Sequence, residues 1–143
     1  MIVPVDKNNE PDWLALCVAL WPDYTVEEIL CLKAEGKFPS DFLYIKGTKT
    51  VGFISLALRH DYVAGTHSSP VGYIEGIYIV PECRRRGIAK KLVEHAKAWT
   101  LEQECRELAS DVLFGNDESL AFHKKVGFQE AHTVVCFAMQ IKA

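Results

Sequence analysis

Long apolar runs are missing from this chain: it contains no stretch of about 18 apolar residues, the length that a membrane-spanning helix requires. A secretory leader pattern is missing as well, so the expected location is the cytoplasm and no membrane partner is expected. Charge of one sign is scarce. The 16 Lys and Arg residues stand against 19 Asp and Glu, a net charge of -3, which argues against a general nucleic-acid-binding surface. The five cysteines, Cys17, Cys31, Cys83, Cys105 and Cys136, are odd in number and never in CxxC spacing. They read as reduced packing residues, so neither a disulfide frame nor a bound metal is expected. Repeats, low-complexity tracts and linkers are also missing, and the 143 residues read as one domain spanning 1–143. A chain of this size buries about 68 to 70% of its unfolded surface and builds a core without staples.

What is present centres on residues 73–99, YIEGIYIVPECRRRGIAKKLVEHAKAW. Residues 73–80 are β-branched and aromatic and are followed by Pro81, which predicts a buried strand ending there. Ile88, Ala89, Leu92, Val93, Ala96 and Trp99 recur at spacings of three and four, which predicts one face of an α-helix. Between them stands Arg84-Arg85-Arg86-Gly87-Ile88-Ala89. The bare amides of a helix start favour an anion, a glycine allows close approach and arginines add charge, so this turn reads as a phosphate cradle. The pattern GxxxxGK[ST] is absent, which excludes a nucleotide-hydrolase loop.

The remainder supplies a frame. Residues 1–5 predict a first strand, and Asn9 or Asp12 a cap for a helix using Trp13, Leu14, Leu16, Cys17 and Leu20. Trp21-Pro22 breaks that helix, and Thr25 with Glu28 forms a capping-box pattern for a second, over about residues 26–35, closed by Gly36. Strands follow at 42–46 and 51–59 around a turn at 47–50. Residues 60–70 predict a surface loop carrying Asp61, Tyr62 and His67. After the central helix, residues 107–112 read as a strand and Asn116 as the start of the last helix, which Gly127 ends. Residues 128–129 and 133–141 predict the closing strands. This is an α/β arrangement: a mixed central sheet flanked by helices.

Two blocks now carry a resemblance. Arg84-x-x-Gly87-x-Ala89 after a Val-Pro strand end, followed by Asn116-x-x-Ser119-x-x-Phe122-His123-x-x-x-Gly127-Phe128, resembles the acyl-CoA loop and the next motif of the GNAT superfamily of N-acetyltransferases. The resemblance covers essentially the whole chain. It implies a GNAT-type sheet whose two parallel strands splay apart and bind acyl-CoA in the gap. Trp21-Pro22, Asp61-Tyr62-Val63-x-Gly65-Thr66, Ser69-Pro70-Val71-Gly72-Tyr73-Ile74-Glu75-Gly76-Ile77-Tyr78 and Ala109-Ser110-Asp111 look more narrowly like the aminoglycoside 6'-N-acetyltransferases. That family transfers acetyl from acetyl-CoA to the 6'-amino group of kanamycin-type antibiotics, and a homodimer is implied with it. By the same resemblance, substrate contacts fall on Trp21, Tyr62, Glu75 and Asp111, and acetyl-CoA contacts on Ile77, Tyr78, Ile79, Arg84, Arg85, Arg86, Gly87, Ile88, Ala89, Lys90 and Asn116. One further substrate contact falls near His132, where an acid would be expected.

The chemistry also follows from residue types. An ammonium is no nucleophile, so the acceptor amine must lose a proton, and Glu75 or Asp111 is placed to accept it directly or through water, or else to clamp a polycation. Amides of the central strand near Tyr78 suit the oxyanion of the attacked thioester. His123 stands where many relatives carry a tyrosine that protonates the departing thiolate; release to solvent is the other reading. No cysteine sits in a recognisable Cys-His pair, so direct attack in a ternary complex is expected. Two alternatives remain open at this point: a GNAT enzyme for another amine (polyamine, protein N-terminus or lysine), and a non-catalytic acyl-CoA-binding module.

Overall fold

The computed structural model describes residues 1–142. Its elements in chain order are β1 (Ile2–Pro4), α1 (Glu10–Leu20), α2 (Val26–Ala34), β2 (Ser40–Lys46), β3 (Lys49–Arg59), β4 (Val71–Ile79), α3 (Ile88–Glu102), β5 (Leu108–Ala109) and α4 (Asp117–Lys125). A single 3-10 turn at Pro81–Cys83 separates β4 from α3. The strands lie in sequence order across one sheet. The pairings β1 to β2, β2 to β3 and β3 to β4 are antiparallel, and β4 to β5 is parallel. The predicted mixed α/β sheet is therefore present.

Local chemistry accounts for most of these boundaries. Thr25 and Glu28 close a reciprocal capping box, each side chain bonded to the other's backbone N–H at 3.1 Å, which satisfies two otherwise bare amides at the start of α2. Lys46 pairs with Lys49, so the β2–β3 turn is only Gly47-Thr48, tighter than the four residues predicted. Asn9 occupies the cap position of α1, yet its Oδ1 accepts from the Asp6 N–H at 2.7 Å and not from the helix.

The register of β3 on β4 matters most for the site. Ser55 pairs with Gly76 and Leu56 with Ile74, so Glu75 is the unmatched residue of a bulge. A bulge interrupts the two-residue alternation of a strand. Ile74 on one side of it and Ile77 and Ile79 on the other all join the core beneath α3. Tyr78 turns to the opposite face, where Trp13, Leu16, Cys17, Ile29, Leu43 and Phe53 form a second core under α1 and α2.

That second core contains a polar strut. Lys33 bonds the buried carboxyl of Asp41 and lies 4.6 Å from the centre of the Trp13 ring. Burial pushes the Asp41 carboxyl above the usual carboxylate range, against the opposing pull of the Lys33 hydrogen bond. Burial likewise pushes the Cys17 thiol up, which keeps it inert.

The last third departs from the prediction. The expected strand over residues 107–112 shrinks to Leu108–Ala109, and the expected closing strands at 128–129 and 133–141 do not form. The apolar alternation is real: Val135, Phe137, Met139 and Ile141 are 76, 92, 83 and 79% exposed. A strand needs a neighbouring edge to satisfy its amides and bury its apolar side chains, and, among the described residues, 129–142 pair with no strand.

Removing Lys33 would leave the Asp41 carboxyl without its counter-charge. Lys33→Ala is expected to cost about 3 kcal/mol of stability in urea unfolding, with part recovered when Asp41→Asn is added; equal losses in the single and double variants would show the pair uncoupled.

Candidate active site

β4 feeds the site from both ends. At its C-terminal end the chain turns through Arg85, at φ 62°, and Gly87, at φ 80°, before α3 begins at Ile88. The first turn of α3 contains no acid, and its leading N–H groups have no partner within the helix. Amides and dipole together suit an anion such as a pyrophosphate. A Cβ built on Gly87 meets nothing within 4 Å, so the cradle is open above it. Arg84 donates from Nε to the Ile79 carbonyl at 2.8 Å and lies over the Tyr78 ring. It therefore braces the loop against the strand end, while the side chains of Arg85, Arg86 and Lys90 are exposed. Asn116 caps α4, its Oδ1 accepting from the Ser119 N–H at 3.2 Å.

A second feature begins at the bulge. Glu75 accepts from Arg59 Nε at 3.0 Å and from its second nitrogen at 2.8 Å. This bidentate pair holds the guanidinium above its ordinary range, and Arg59 in turn lies 3.6 Å from the centre of the Tyr73 ring. Tyr73 donates its hydroxyl to Asp111 Oδ2 at 2.5 Å. Burial, and next the Asp111 hydrogen bond, push the phenol well above its usual value. Glu75 and Asp111, 36 residues apart by number, are thus joined through Arg59 and Tyr73.

Trp21 completes one wall. Its ring stacks on Phe38 at 5.5 Å between centroids and sits edge-on to Phe53 at 6.1 Å. Gly76 makes this seat possible, because a Cβ there would lie 2.6 Å from the indole ring. Trp21, Tyr24, Phe38, Lys37 and Glu75 line a cavity of about 260 Å³. The sequence-predicted pair Trp21 and Glu75 therefore meet in one cavity, with Asp111 linked to it. Tyr62 does not join them: it is 77% exposed in the loop after β3. His132 is exposed on the C-terminal arm.

His123 is buried, at 9% exposure, and both ring nitrogens are engaged. Nδ1 lies 2.8 Å from the Ser119 carbonyl oxygen. A carbonyl only accepts, so Nδ1 carries the proton. Nε2 lies 2.9 Å from Ser110 Oγ and in the neutral ring accepts from that hydroxyl. Phe122 and Phe128 flank the ring at 5.7 and 5.3 Å. Tyr24, three residues after Trp21 at the break of α1, is the other aromatic that the sequence offered there as a core plug or a cleft wall, and it lines the cavity. Sequence reading missed the parts played by Arg59, Tyr73 and Ser110, whose partners lie 13 or more residues away and leave no local signal.

Among the described residues no group of three or more His, Cys, Asp or Glu is arranged to hold a metal, and no helix is long and apolar enough to cross a membrane. A parallel strand pair whose ladder stops after two positions, an anion cradle at the following helix and an acidic aromatic cavity are the features of an acyl-CoA-dependent transferase. Residues 7–128 match the model of the acetyltransferase (GNAT) family, and the chain belongs to that family. Among its relatives, an aminoglycoside N(6')-acetyltransferase type 1 from Acinetobacter baumannii is 36% identical, over 98% of each chain. One from Serratia marcescens is 40% identical, over 96% of this chain and 97% of the other. A solved aminoglycoside antibiotic 6'-N-acetyltransferase from Acinetobacter haemolyticus superposes with TM-score 0.88 at 34% identity, covering 99% of each chain. Another, bound to the bisubstrate analogue CoA-S-monomethyl-acetylneamine, superposes with TM-score 0.89 at 31% identity over 99% of this chain and 98% of that one.

The seat of Trp21 is directly testable. Gly76→Ala should displace the indole and cost about 1 to 3 kcal/mol by overpacking, read as a lower urea midpoint with altered tryptophan emission. Unchanged emission and midpoint would place Trp21 elsewhere.

Proposed function

We propose that this chain transfers the acetyl group of acetyl-CoA to the 6'-amino group of aminoglycosides, giving a host resistance to antibiotics that carry that amine. The observation that carries the reading is the cavity of Trp21, Tyr24, Phe38 and Glu75, linked through Arg59 and Tyr73 to Asp111, beside an open anion cradle. A compact polycation finds there aromatic walls and two carboxylates, which bind ammonium groups by charge-assisted hydrogen bonds. Relatives named as aminoglycoside N(6')-acetyltransferases and a neighbour that holds a CoA-acetylneamine analogue support the same acceptor.

The roles follow from position. Amides of Gly87, Ile88, Ala89 and Lys90, with the charges of Arg85 and Arg86, hold the pyrophosphate. The pantetheine arm runs along the backbone of Ile77, Tyr78 and Ile79, past Asn116. The pairing of β4 with β5 ends at Tyr73 and Ala109, so amides of β4 near Tyr78 are free on that side to meet the oxyanion of the attacked carbonyl. Glu75 and Asp111 hold the aminoglycoside and accept the amine proton, directly or through water. The amine attacks the thioester directly, without an acyl-enzyme.

The same reading makes 1–143 one domain, working in the cytoplasm without nucleic acid or membrane, and makes the assembly a homodimer. In support of the dimer, Val134, Val135, Phe137, Met139 and Ile141 expose 71 to 92% of their surface along the C-terminal arm, an apolar surface that a second copy would cover. Tyr62 and His132 are then substrate contacts carried by the loop and the arm.

The primary test is release of CoA thiol from acetyl-CoA with kanamycin, compared with a matched aminoglycoside bearing a 6'-hydroxyl. Release with the amine alone is the expected result; release with neither removes aminoglycosides as substrates. Gly87→Glu should abolish acetyl-CoA binding in calorimetry, since it places bulk and negative charge in the cradle. Retained affinity would move the pyrophosphate elsewhere.

A further inference from the structure

We infer that Arg59 is the resident occupant of the acceptor site: its guanidinium holds Glu75 while the site is empty, and an ammonium group of the acceptor displaces it. The exchange rests on the acceptor reading of the cavity given above, and it makes Arg59 a specificity-determining residue that selects for polycations.

Among the described residues that line the cavity with Trp21, Tyr24 and Phe38, Glu75 is the one acid. Its carboxylate is already engaged. Oε2 accepts from Arg59 Nε at 3.0 Å and Oε1 from a terminal nitrogen of the same guanidinium at 2.8 Å. A fork of this kind occupies both oxygens and cancels the charge, so an ammonium entering the cavity meets a neutralised acid. Asp111 differs. It accepts from the Tyr73 hydroxyl at 2.5 Å, a donor that brings no charge of its own, so that bond does not offset the carboxylate.

Three observations make the guanidinium a replaceable partner and not a strut. Arg59 is the last residue of β3 and its side chain is 43% exposed, against 18% for Glu75, so it can turn into water without opening the core. A pair exposed to that degree is weak. Among the described residues the fork is the only hydrogen bonding that either side chain makes, so opening it strands no third group. Arg59 also stands 3.6 Å from the centre of the Tyr73 ring, whose hydroxyl is bonded to Asp111. The guanidinium is favoured chiefly by the Glu75 hydrogen bonds and, more weakly, by the charge of Asp111. A cation that settles at Asp111 cancels this second attraction and repels the guanidinium.

The acceptor therefore loosens Arg59 with one ammonium group and takes Glu75 with another. A monoamine only replaces one ion pair by another. An acceptor with several ammonium groups, such as kanamycin, forms a pair at each carboxylate and leaves Arg59 hydrated. Arg59 thus lowers the affinity for every amine while excluding those that offer a single charge.

The test compares the full chain with Arg59→Met, which keeps the apolar stem and removes the charge, and with Arg59→Lys, which keeps a charge without the fork. The Kd for kanamycin in calorimetry and its KM in CoA-thiol release are read in each. If the resident pair leaves Glu75 free in about one molecule in ten, Arg59→Met lowers both constants about 10-fold while the KM for acetyl-CoA moves less than about two-fold. Arg59→Lys should recover most of that difference. Constants that stay unchanged or rise in Arg59→Met overturn the exchange and make Arg59 a strut for Glu75. A second readout uses the unsubstituted protein alone: the Arg59 Nε–H resonance, which should move to the position of free arginine as kanamycin, or spermine in a parallel titration, saturates the site. A resonance that stays fixed at saturation overturns the exchange. Displacement by either polycation with kanamycin never acetylated overturns the aminoglycoside reading and leaves the exchange standing. Binding of neither polycation by any of the three proteins overturns both.

Discussion

The parting of β4 from β5 is the constraint on which this molecule turns. A parallel pair that ends after two matched positions, Gly72 with Leu108 and Tyr73 with Ala109, leaves β4 without a strand partner on one side from there to Ile79, whose carbonyl Arg84 takes. Buried backbone groups in that condition need a partner, and an extended ligand laid along the strand provides one. Everything else is arranged around this opening. The α3 amides follow the C-terminal end of β4, Ser110 and Asp111 follow the last paired position of β5, and the Glu75 bulge lies between these points on β4. Loss of sheet pairing in one place thus creates a binding surface that no side chain supplies.

The bulge converts that opening from symmetric to two-sided. A regular strand through residue 75 would carry Tyr73 and Tyr78 to opposite faces; the extra residue puts Ile74, Ile77 and Ile79 on the α3 side together. The acidic groups then gather away from the cradle. Glu75, Arg59, Tyr73 and Asp111 form one connected set, in which Arg59 neutralises part of the acid charge. A cationic acceptor competes with that guanidinium for the carboxylates, so selectivity depends on how many ammonium groups it presents and not only on their presence. The aromatic wall is held independently, by Trp21 seated on Gly76 and stacked on Phe38.

Legibility of the chain fell off where its signals ceased to be local. The capping box of Thr25 and Glu28, the break at Trp21-Pro22 and the α3 face of Ile88, Leu92, Val93, Ala96 and Trp99 are contained within a few turns of chain, and each was readable because its energetics close over that distance. Residues 133–141 mark the opposite case. Their alternation is a sound strand signal, yet a strand exists only if an edge is present to receive it, and no edge among the described residues pairs with them. His123 is intermediate: its residue type suggested proton chemistry, but its ring is committed to Ser110 and Ser119, contacts that spacing alone does not reveal.

By itself, then, the sequence determined most of the element types and the glycine-containing turn that opens α3, because helix periodicity and capping are properties of neighbours along the chain; the grouping of Trp21, Glu75 and Asp111 came from the resemblance. Tertiary structure alone decided that Arg59 and Tyr73 couple the two carboxylates, that Ser110 bonds His123, and that Tyr62 and the C-terminal arm are exposed and outside the cavity lining. Those outcomes depend on sheet register and on where pairing stops. Register is fixed by the burial of two cores at once, a global condition that no local pattern of residues contains.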